Sequence, residues 1–448
     1  MSKNIVFIAN FSKTEVFKRV ARVLESYGAN VFWIVTNTKI RDDLVECFGL
    51  GNVLYIPKDN ERDPIIQELR ISKINDIVAN DRHLKYDLNG GKQYLRSIQF
   101  PIERFLIQNG ISFVFGEVTW AHEILIYRLC KHPALTGVQF LNPHSIRIPN
   151  GRFAFYTDDS MSNIYEAYNS NNTPGYENFL VEKPAYLKRN DAINKSSRSI
   201  SVIFKKILLF ISGHNKDPYD PTILNNRRIV LLMRVKEILN GFLYLKFFVK
   251  DLKQPPKGNY VFLPLHKQPE SSIDVAGRFY ENQSQNIFNI WRTLPDGWKL
   301  VIKEHSNAIG DRELGFYKSL QKLPDVYFVD EAVDSEILIR ASKFVVTVSG
   351  TSALEASLFG IPSLTFADCY FNRFSSCRKI SLDDLNNCNT ITDLLEEPCL
   401  ENVKEVKKYV MDYSFKGVIA DPISTPTCLD DINISDIAFG IKSVIDGK

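Results

Sequence analysis

Along the first 150 residues, short apolar runs alternate with segments whose apolar positions recur at helical spacing. The runs over 5–9, 31–35, 53–56, 76–79, 113–115 and 137–140 have strand character, and stretches such as 14–26 and 93–108 have helical character. That alternation predicts a parallel sheet covered by helices. The character changes over 186–256. A polar Lys/Asn/Ser/Arg run leads into ISVIFKKILLFI (200–211) and a helical pattern over 227–253, closed by Gln254-Pro255-Pro256-Lys257-Gly258, a boundary signal. A second alternation then sets strands over 260–265, 299–303, 326–329, 344–348 and 363–366 between helices over 281–293, 311–322 and 335–341. Helical patterns over 403–413 and 432–445 end the chain. The expected architecture is α/β, with two Rossmann-like domains facing a cleft. Its parts are an N-terminal domain (1–185), a helical connector (186–256), a second α/β domain (257–400) and a C-terminal helical tail (401–448).

Composition narrows the class without naming it. A chain of 448 residues with 44% hydrophobic and 24% charged side chains has ordinary globular composition and room for two or three cores. Lys and Arg number 55 against 52 Asp and Glu, so net charge gives no case for nucleic-acid binding. The seven cysteines form no C-x-x-C pair, which fits reduced thiols better than a disulfide framework or a zinc site. MSKNIVFIANF reads as a first strand and not a signal peptide, and no run reaches the roughly 20 apolar residues of a membrane span. The expectation is a cytoplasmic protein, soluble or peripheral at the inner face of the membrane.

In open α/β sheets, ligands bind beyond the carboxyl ends of the strands. Four consecutive strands of the second unit deliver polar residues there: His266 through Glu270, then Lys303-Glu304-His305-Ser306, then Asp330-Glu331, then Ser349-Gly350-Thr351-Ser352. The last group is a small-residue turn opening a helix, a place where unpaired N–H groups and the helix dipole favour an anion. Lys303 and His305 can donate to a phosphate, and Glu331 can accept from ribose hydroxyls. In the first unit, Asn80-Asp81-Arg82-His83, FGEVTWAHE (115–123) and NPHSIR (142–147) follow strands, with Arg152 beyond. Glu117 and Asp81 are the candidate catalytic carboxylates, unless they cap a helix and a turn respectively. Arg147 and Arg152 can pair with a carboxylate of donor or acceptor.

The run PLHKQPESS, followed by KEHS, DE and SGTSALEASLFGIP, resembles bacterial capsule and O-antigen glycosyltransferases, in particular the CMP-Kdo-dependent β-Kdo transferases of GT-B fold. FGEVTWAHE and NPHSIRIPNGRFAF share that resemblance. The order of His, Glu and a Ser/Thr cluster also resembles the CMP-binding pattern of bacterial sialyltransferases, although Ser306 stands where that motif has Pro. The resemblance implies that His305 contacts the CMP phosphate and Glu331 the ribose. Ser349, Gly350, Thr351 and Ser352 would hold the phosphate, while His266 would face the sugar or its carboxylate; His266 is also a candidate catalytic residue and Glu270 a candidate substrate contact. It implies a retaining mechanism through a covalent carboxylate, whereas neighbouring families invert with a general base.

The expected partners are a nucleotide-sugar donor and a glycan or lipid-linked glycan acceptor. Asp158-Asp159 and Asp383-Asp384 lack metal-ligand company, so no metal and no cofactor beyond the donor is expected. The stretch 200–211, with Lys205 and Lys206 among apolar residues, reads either as an inner-leaflet contact or as a buried helix with snorkelling lysines. Two other functions fit the pattern: a UDP-sugar or CDP-polyol transferase, or a non-catalytic nucleotide-binding subunit of polysaccharide assembly.

Overall fold

The computed structural model describes residues 3–58, 69–167, 217–397 and 399–447. The stretch 200–211 lies outside them. The first sheet contains β1 (Asn4–Ile8), β2 (Asn30–Val35), β3 (Val53–Tyr55), β4 (Phe113–Phe115), β5 (Gln139–Ile146) and β6 (Arg152–Tyr156). The second contains β7 (Tyr260–Pro264), β8 (Lys299–Lys303), β9 (Val326–Val329), β10 (Phe344–Thr347), β11 (Ser363–Thr365) and β12 (Cys377–Lys379). A last strand, β13 (Phe415–Lys416), returns to the first sheet, whose order is β13-β6-β5-β4-β1-β2-β3. The second sheet runs β12-β11-β10-β7-β8-β9 and is parallel throughout.

Continuous apolar runs form these strands because both faces of each sheet are covered. Ile5 and Phe7 enter one core with Val16, Phe17 and Val20, whereas Val6 and Ile8 enter another with Ile98, Ile102 and Leu125. The second sheet divides likewise, with Val261, Leu263 and Ile302 on one face and Tyr260, Phe262 and Val301 on the other.

Three readings from the sequence need correction. Residues 76–79 are not a strand but part of helix Asn75–Asn80, with Ile77 and Val78 buried against the long helix Leu88–Gln108. A short apolar run does not by itself distinguish the two states. The strand expected over 137–140 is longer and runs through Asn142, Pro143 and His144 to Ile146, then folds back as the antiparallel β6. The C-terminal tail does more than add helices. Phe415 and Lys416 pair with Phe153 and Arg152, and helix Asp431–Asp446 packs with helix Lys13–Ser26 in one core.

Two devices join the halves. The segment before helix Arg227–Phe247 is anchored to the first sheet, since Asp217 accepts from Thr38 N–H at 2.6 Å and Asp220 from Asn37 Nδ2 at 2.9 Å. From the second half, Arg278 reaches Asp76 at 3.3 Å and also pairs with Asp159, while its carbonyl accepts from Asn80 Nδ2 at 3.2 Å. Arg128 holds Asp76 from the other side at 2.5 Å.

Candidate active site

In each sheet the chain first lays strands outward in one direction and then restarts on the other side of its first strand. The restart falls between β1 and β4 in the first sheet and between β7 and β10 in the second. At such a switch point the connections part in opposite directions and leave a crevice at the carboxyl edge. His266, the 349–352 turn and Glu117, which the sequence singled out, follow the strands at these two points.

At the β7/β10 crevice, His266 lies across from the 349–352 turn. Gly350 N–H donates to Thr347 Oγ1 at 3.2 Å, Thr347 Oγ1 lies 2.9 Å from His266 Nε2, and Ser349 N–H approaches the same nitrogen at 3.4 Å. Nε2 is therefore the acceptor, which puts the ring proton on Nδ1. Burial pushes the imidazole pKa down to about 4 against the opposing pull of Glu270, so the ring is neutral near pH 7. Helix Thr351–Leu358 starts at Gly350 with no side chain capping it, and the buried Ser352 hydroxyl has no hydrogen-bond partner. An uncapped helix start beside an orphaned buried hydroxyl forms a cradle for an anion. A side chain at Gly350 would fill it, because a Cβ there would lie 2.7 Å from Thr347 Oγ1 and 3.4 Å from His266 Cε1.

A buried ion pair fixes the next two strand ends. Arg312 Nη1 donates to both oxygens of Glu304 at 2.7 Å, and its Nη2 donates to the His266 carbonyl. Glu304, 1% exposed, further accepts from Tyr317 OH at 2.6 Å and from His305 N–H at 2.7 Å. Gln283 clasps the His266 backbone through both its N–H and its carbonyl. The loops bearing His266 and His305 are thus one unit. Glu331, at the end of β9, accepts from Tyr244 OH at 3.1 Å and lies 3.5 Å from Lys250.

At the β1/β4 crevice, Glu117 is buried and ionised. Lys13 pairs with one oxygen and Asn10 Nδ2 donates to the other at 3.0 Å. Burial alone would raise its pKa, but the charges of Lys13 and His144 hold it below the usual carboxylate range. Asn10 also reaches Glu123 at 3.4 Å, whose pKa is pushed up to about 8 by burial and by the neighbouring Glu117 charge. One carboxylate of the pair is thus charged and the other protonated at neutral pH. Gly116 lets the chain turn here, since a Cβ would stand 2.7 Å from the Ile8 side chain.

The two edges face each other. The positive field of Arg147 depresses both His144 in the first half and His266 in the second, and Arg82 acts on both Glu117 and Asp274. Arg147 and Arg82 thus each act on groups of both halves.

Five sequence-derived candidates have structural engagements. Asp81 spends one oxygen on His83 and Leu84 N–H groups and the other on Ala121 N–H, all at 2.8–2.9 Å, so it ties two helix starts together and is not free for catalysis. Arg152 is buried and donates to Ser414 Oγ at 2.7 Å and to the Ser414 carbonyl at 2.6 Å, clamping the tail and not a substrate. Lys303 Nζ donates to the Val333 carbonyl at 2.5 Å and to Ser335 Oγ at 3.0 Å, closing the loop after β9. Ser349 Oγ donates to the Ser272 carbonyl at 2.6 Å, leaving its backbone at the cradle. Glu270 accepts from Ser272 Oγ at 3.2 Å on the loop that follows His266. Glu123 stands in FGEVTWAHE without an assigned role, whereas Asn10, Lys13 and Arg312 escaped the sequence reading. Asn10 follows a strand as the other candidates do, but nothing local marks the remaining two. Among the described residues, no group of three or more His, Cys, Asp or Glu side chains is placed to hold a metal ion.

No family model matches the chain, and no curated protein matches it. Solved structures similar to it include KpsC of Thermosulfurimonas dismutans as β-Kdo 2,7 transferase, at 13% identity over 77% of this chain and 88% of that one, with a TM-score of 0.37. KpsC of the same organism as β-Kdo 2,4 transferase follows at 12% identity, over 74% and 87%, with a TM-score of 0.35. The UDP-GlcNAc 2-epimerase of Methanocaldococcus jannaschii is similar at 12% identity, over 86% and 91%, with a TM-score of 0.24.

Proposed function

We propose that the chain is a glycosyltransferase moving an acidic sugar, Kdo, from a CMP donor to a growing capsule or O-antigen glycan. The observation that carries this reading is the opposition of an anion cradle at one switch point to an ionised, buried carboxylate at the other. The phosphate of the donor rests on the Gly350 turn, taking hydrogen bonds from the Thr351 and Ser352 N–H groups, the Ser352 hydroxyl and His266 Nδ1–H. The ribose, bonded to that phosphate through its C5′, extends along the same edge in the direction of Glu331 at the end of β9. His305 lies between them, on the loop after β8. Arg147 pairs with the sugar carboxylate.

A carboxylate held below its usual pKa is a poor general base at neutral pH but a competent nucleophile. Glu117 therefore attacks the anomeric carbon as the bond to the phosphate oxygen breaks, and CMP leaves with the electron pair. The acceptor hydroxyl then displaces Glu117, losing its proton to solvent or a neighbouring base. Two inversions give net retention. The donors of the cradle stabilise the charge that develops on the leaving phosphate.

The test is thermal stabilisation by CMP, CDP and UDP, followed by turnover of CMP-Kdo, in the wild type and in Glu117→Gln. A ligand that binds only the folded state raises the melting temperature. The expected result is a CMP-selective shift in both proteins, with turnover in the wild type alone. A UDP- or CDP-selective shift would move the donor to a UDP-sugar or CDP-polyol. Binding without turnover would leave a nucleotide-binding subunit, and no shift with any nucleotide would overturn the reading.

A further inference from the structure

Helix Arg227–Phe247 is 21 residues long, yet only Asn240 and Tyr244 of it are buried. It meets the second half along one narrow strip, through Asn240 Nδ2 on the Gly310 carbonyl and Tyr244 against Phe248 and Tyr317. At about 100° per residue, Leu231, Val235, Ile238, Leu239, Phe242 and Leu245 fall within one arc of roughly 120°, directed away from that strip. All six are exposed, Val235 by 55% and Leu245 by 59%. Leu232, 69% exposed, widens the arc.

Basic residues frame this arc. Arg234 and Lys236 stand on its two edges, Arg227 and Arg228 at its N-terminal end and Lys246 at its C-terminal end. The helix has one acid, Glu237, outside the arc beside Arg234. Lys246 Nζ lies over the Phe242 and Phe247 rings, 5.3 and 5.5 Å from their centroids, as a snorkelling side chain would. The pairs Arg234–Glu237 and Lys236–Glu313 are exposed at both partners, so exchanging them for other anions costs little.

We propose that this face docks on an anionic lipid surface, with the apolar arc immersed at the headgroup boundary and the framing cations on lipid phosphates. Charge decides between this occupant and a second copy of the chain. In a two-fold pairing of the arcs, cations would meet cations at the edges and ends, whereas an anionic leaflet neutralises all of them. No described helix is long and apolar enough to cross a membrane, so contact is lateral. The buried strip of the same helix carries Tyr244, whose hydroxyl donates to Glu331. The docked surface and the candidate ribose contact therefore share one rigid element.

The experiment is cosedimentation of the full chain with vesicles of phosphatidylcholine alone or mixed with phosphatidylglycerol, at low and high salt. The wild type should bind the anionic vesicles at least tenfold better, and high salt should weaken that binding. Each cation near the surface contributes roughly fivefold. Leu231→Ser/Leu239→Ser/Phe242→Ser should lose at least tenfold in binding with an unchanged melting temperature, since all three side chains face solvent. A single Leu239→Trp probe should shift its emission to the blue on anionic vesicles. Binding that is absent, or that is unaffected by the triple substitution, would overturn the proposal. So would a dimer, seen by light scattering, that the triple substitution dissolves while vesicles are ignored. None of these readouts requires turnover, so failure of the donor reading would leave the result standing.

Discussion

Gly350→Ala tests the cradle at the atom on which it depends. The backbone there has φ −74° and ψ 143°, which alanine adopts freely, so the substitution adds no backbone strain. It adds a methyl 2.7 Å from Thr347 Oγ1, well inside the normal carbon–oxygen contact. Thr347 cannot retreat without losing His266 Nε2 at 2.9 Å. Overpacking of this kind costs about 1–3 kcal/mol, partly offset by the about 0.4–1 kcal/mol that Gly→Ala saves in the unfolded chain. The net loss of stability should therefore be small, on the order of 1 kcal/mol. Binding should suffer more. Displacing His266 or the turn removes at least one hydrogen bond to a charged phosphate, about 1.5–3 kcal/mol, or roughly ten- to a hundredfold in Kd. Titration calorimetry with CMP measures this directly. Gly315→Ala, whose methyl meets nothing within 4 Å, is the control and should bind as the wild type does. Unchanged CMP affinity in Gly350→Ala would refute the placement of the phosphate.

Other consequences are open to measurement. The Glu117 pKa is lowered from 4.5, so its ion pair contributes stability above that pH and loses it on acidification through the folded pKa. Glu117→Gln should flatten the acid limb of a melting temperature–pH curve, and an unchanged limb would argue against the pair. Arg312→Met leaves Glu304 buried without its partner and should cost about 3–5 kcal/mol by chemical denaturation; a loss under 1 kcal/mol would show that the clamp is dispensable. His266, with its pKa near 4, binds fewer protons than the unfolded chain between pH 4 and 6.5, so its contribution to stability falls on acidification through that window. Its ring NMR signals should hold the Nδ1–H form from pH 8 to 5.5, and titration near 6.5 would contradict the burial argument.

The parallel strands of both sheets were legible because strands covered on two faces must be apolar along their whole length, as in Ile5 to Ile8. The extension of β5 through Pro143 was not. At that point β4 has already ended, β5 is paired on one side only, and a proline costs no hydrogen bond that the sheet could make. The pairing of Phe415 with Phe153 is likewise invisible, because two residues carry no periodicity and the contact spans most of the chain. The same division runs through the site. His266, Glu117 and the 349–352 turn follow strands and obey a topological rule, so position alone identified them. Their partners do not. Arg312 reaches Glu304 from the segment before a helix, and Lys13 reaches Glu117 across 104 residues, so each became evident only once the chain had folded.

The return of the tail to the first sheet has a consequence for the order in which the molecule can be made. Ile437, Ile441 and Val444 occupy the same core as Phe7, Phe17 and Val20. During synthesis the first half emerges with Val16, Phe17 and Val20 able to cover part of that core at once, but the part closed by Phe415 and helix Asp431–Asp446 waits while some 270 further residues are added, a minute or less at cellular elongation rates of about 5–20 residues per second. The second half meets no such delay, because the strands and helices of its cores lie within one continuous stretch. The half synthesised later can therefore finish first, with the ribosome holding the earlier half open until the closing helix arrives.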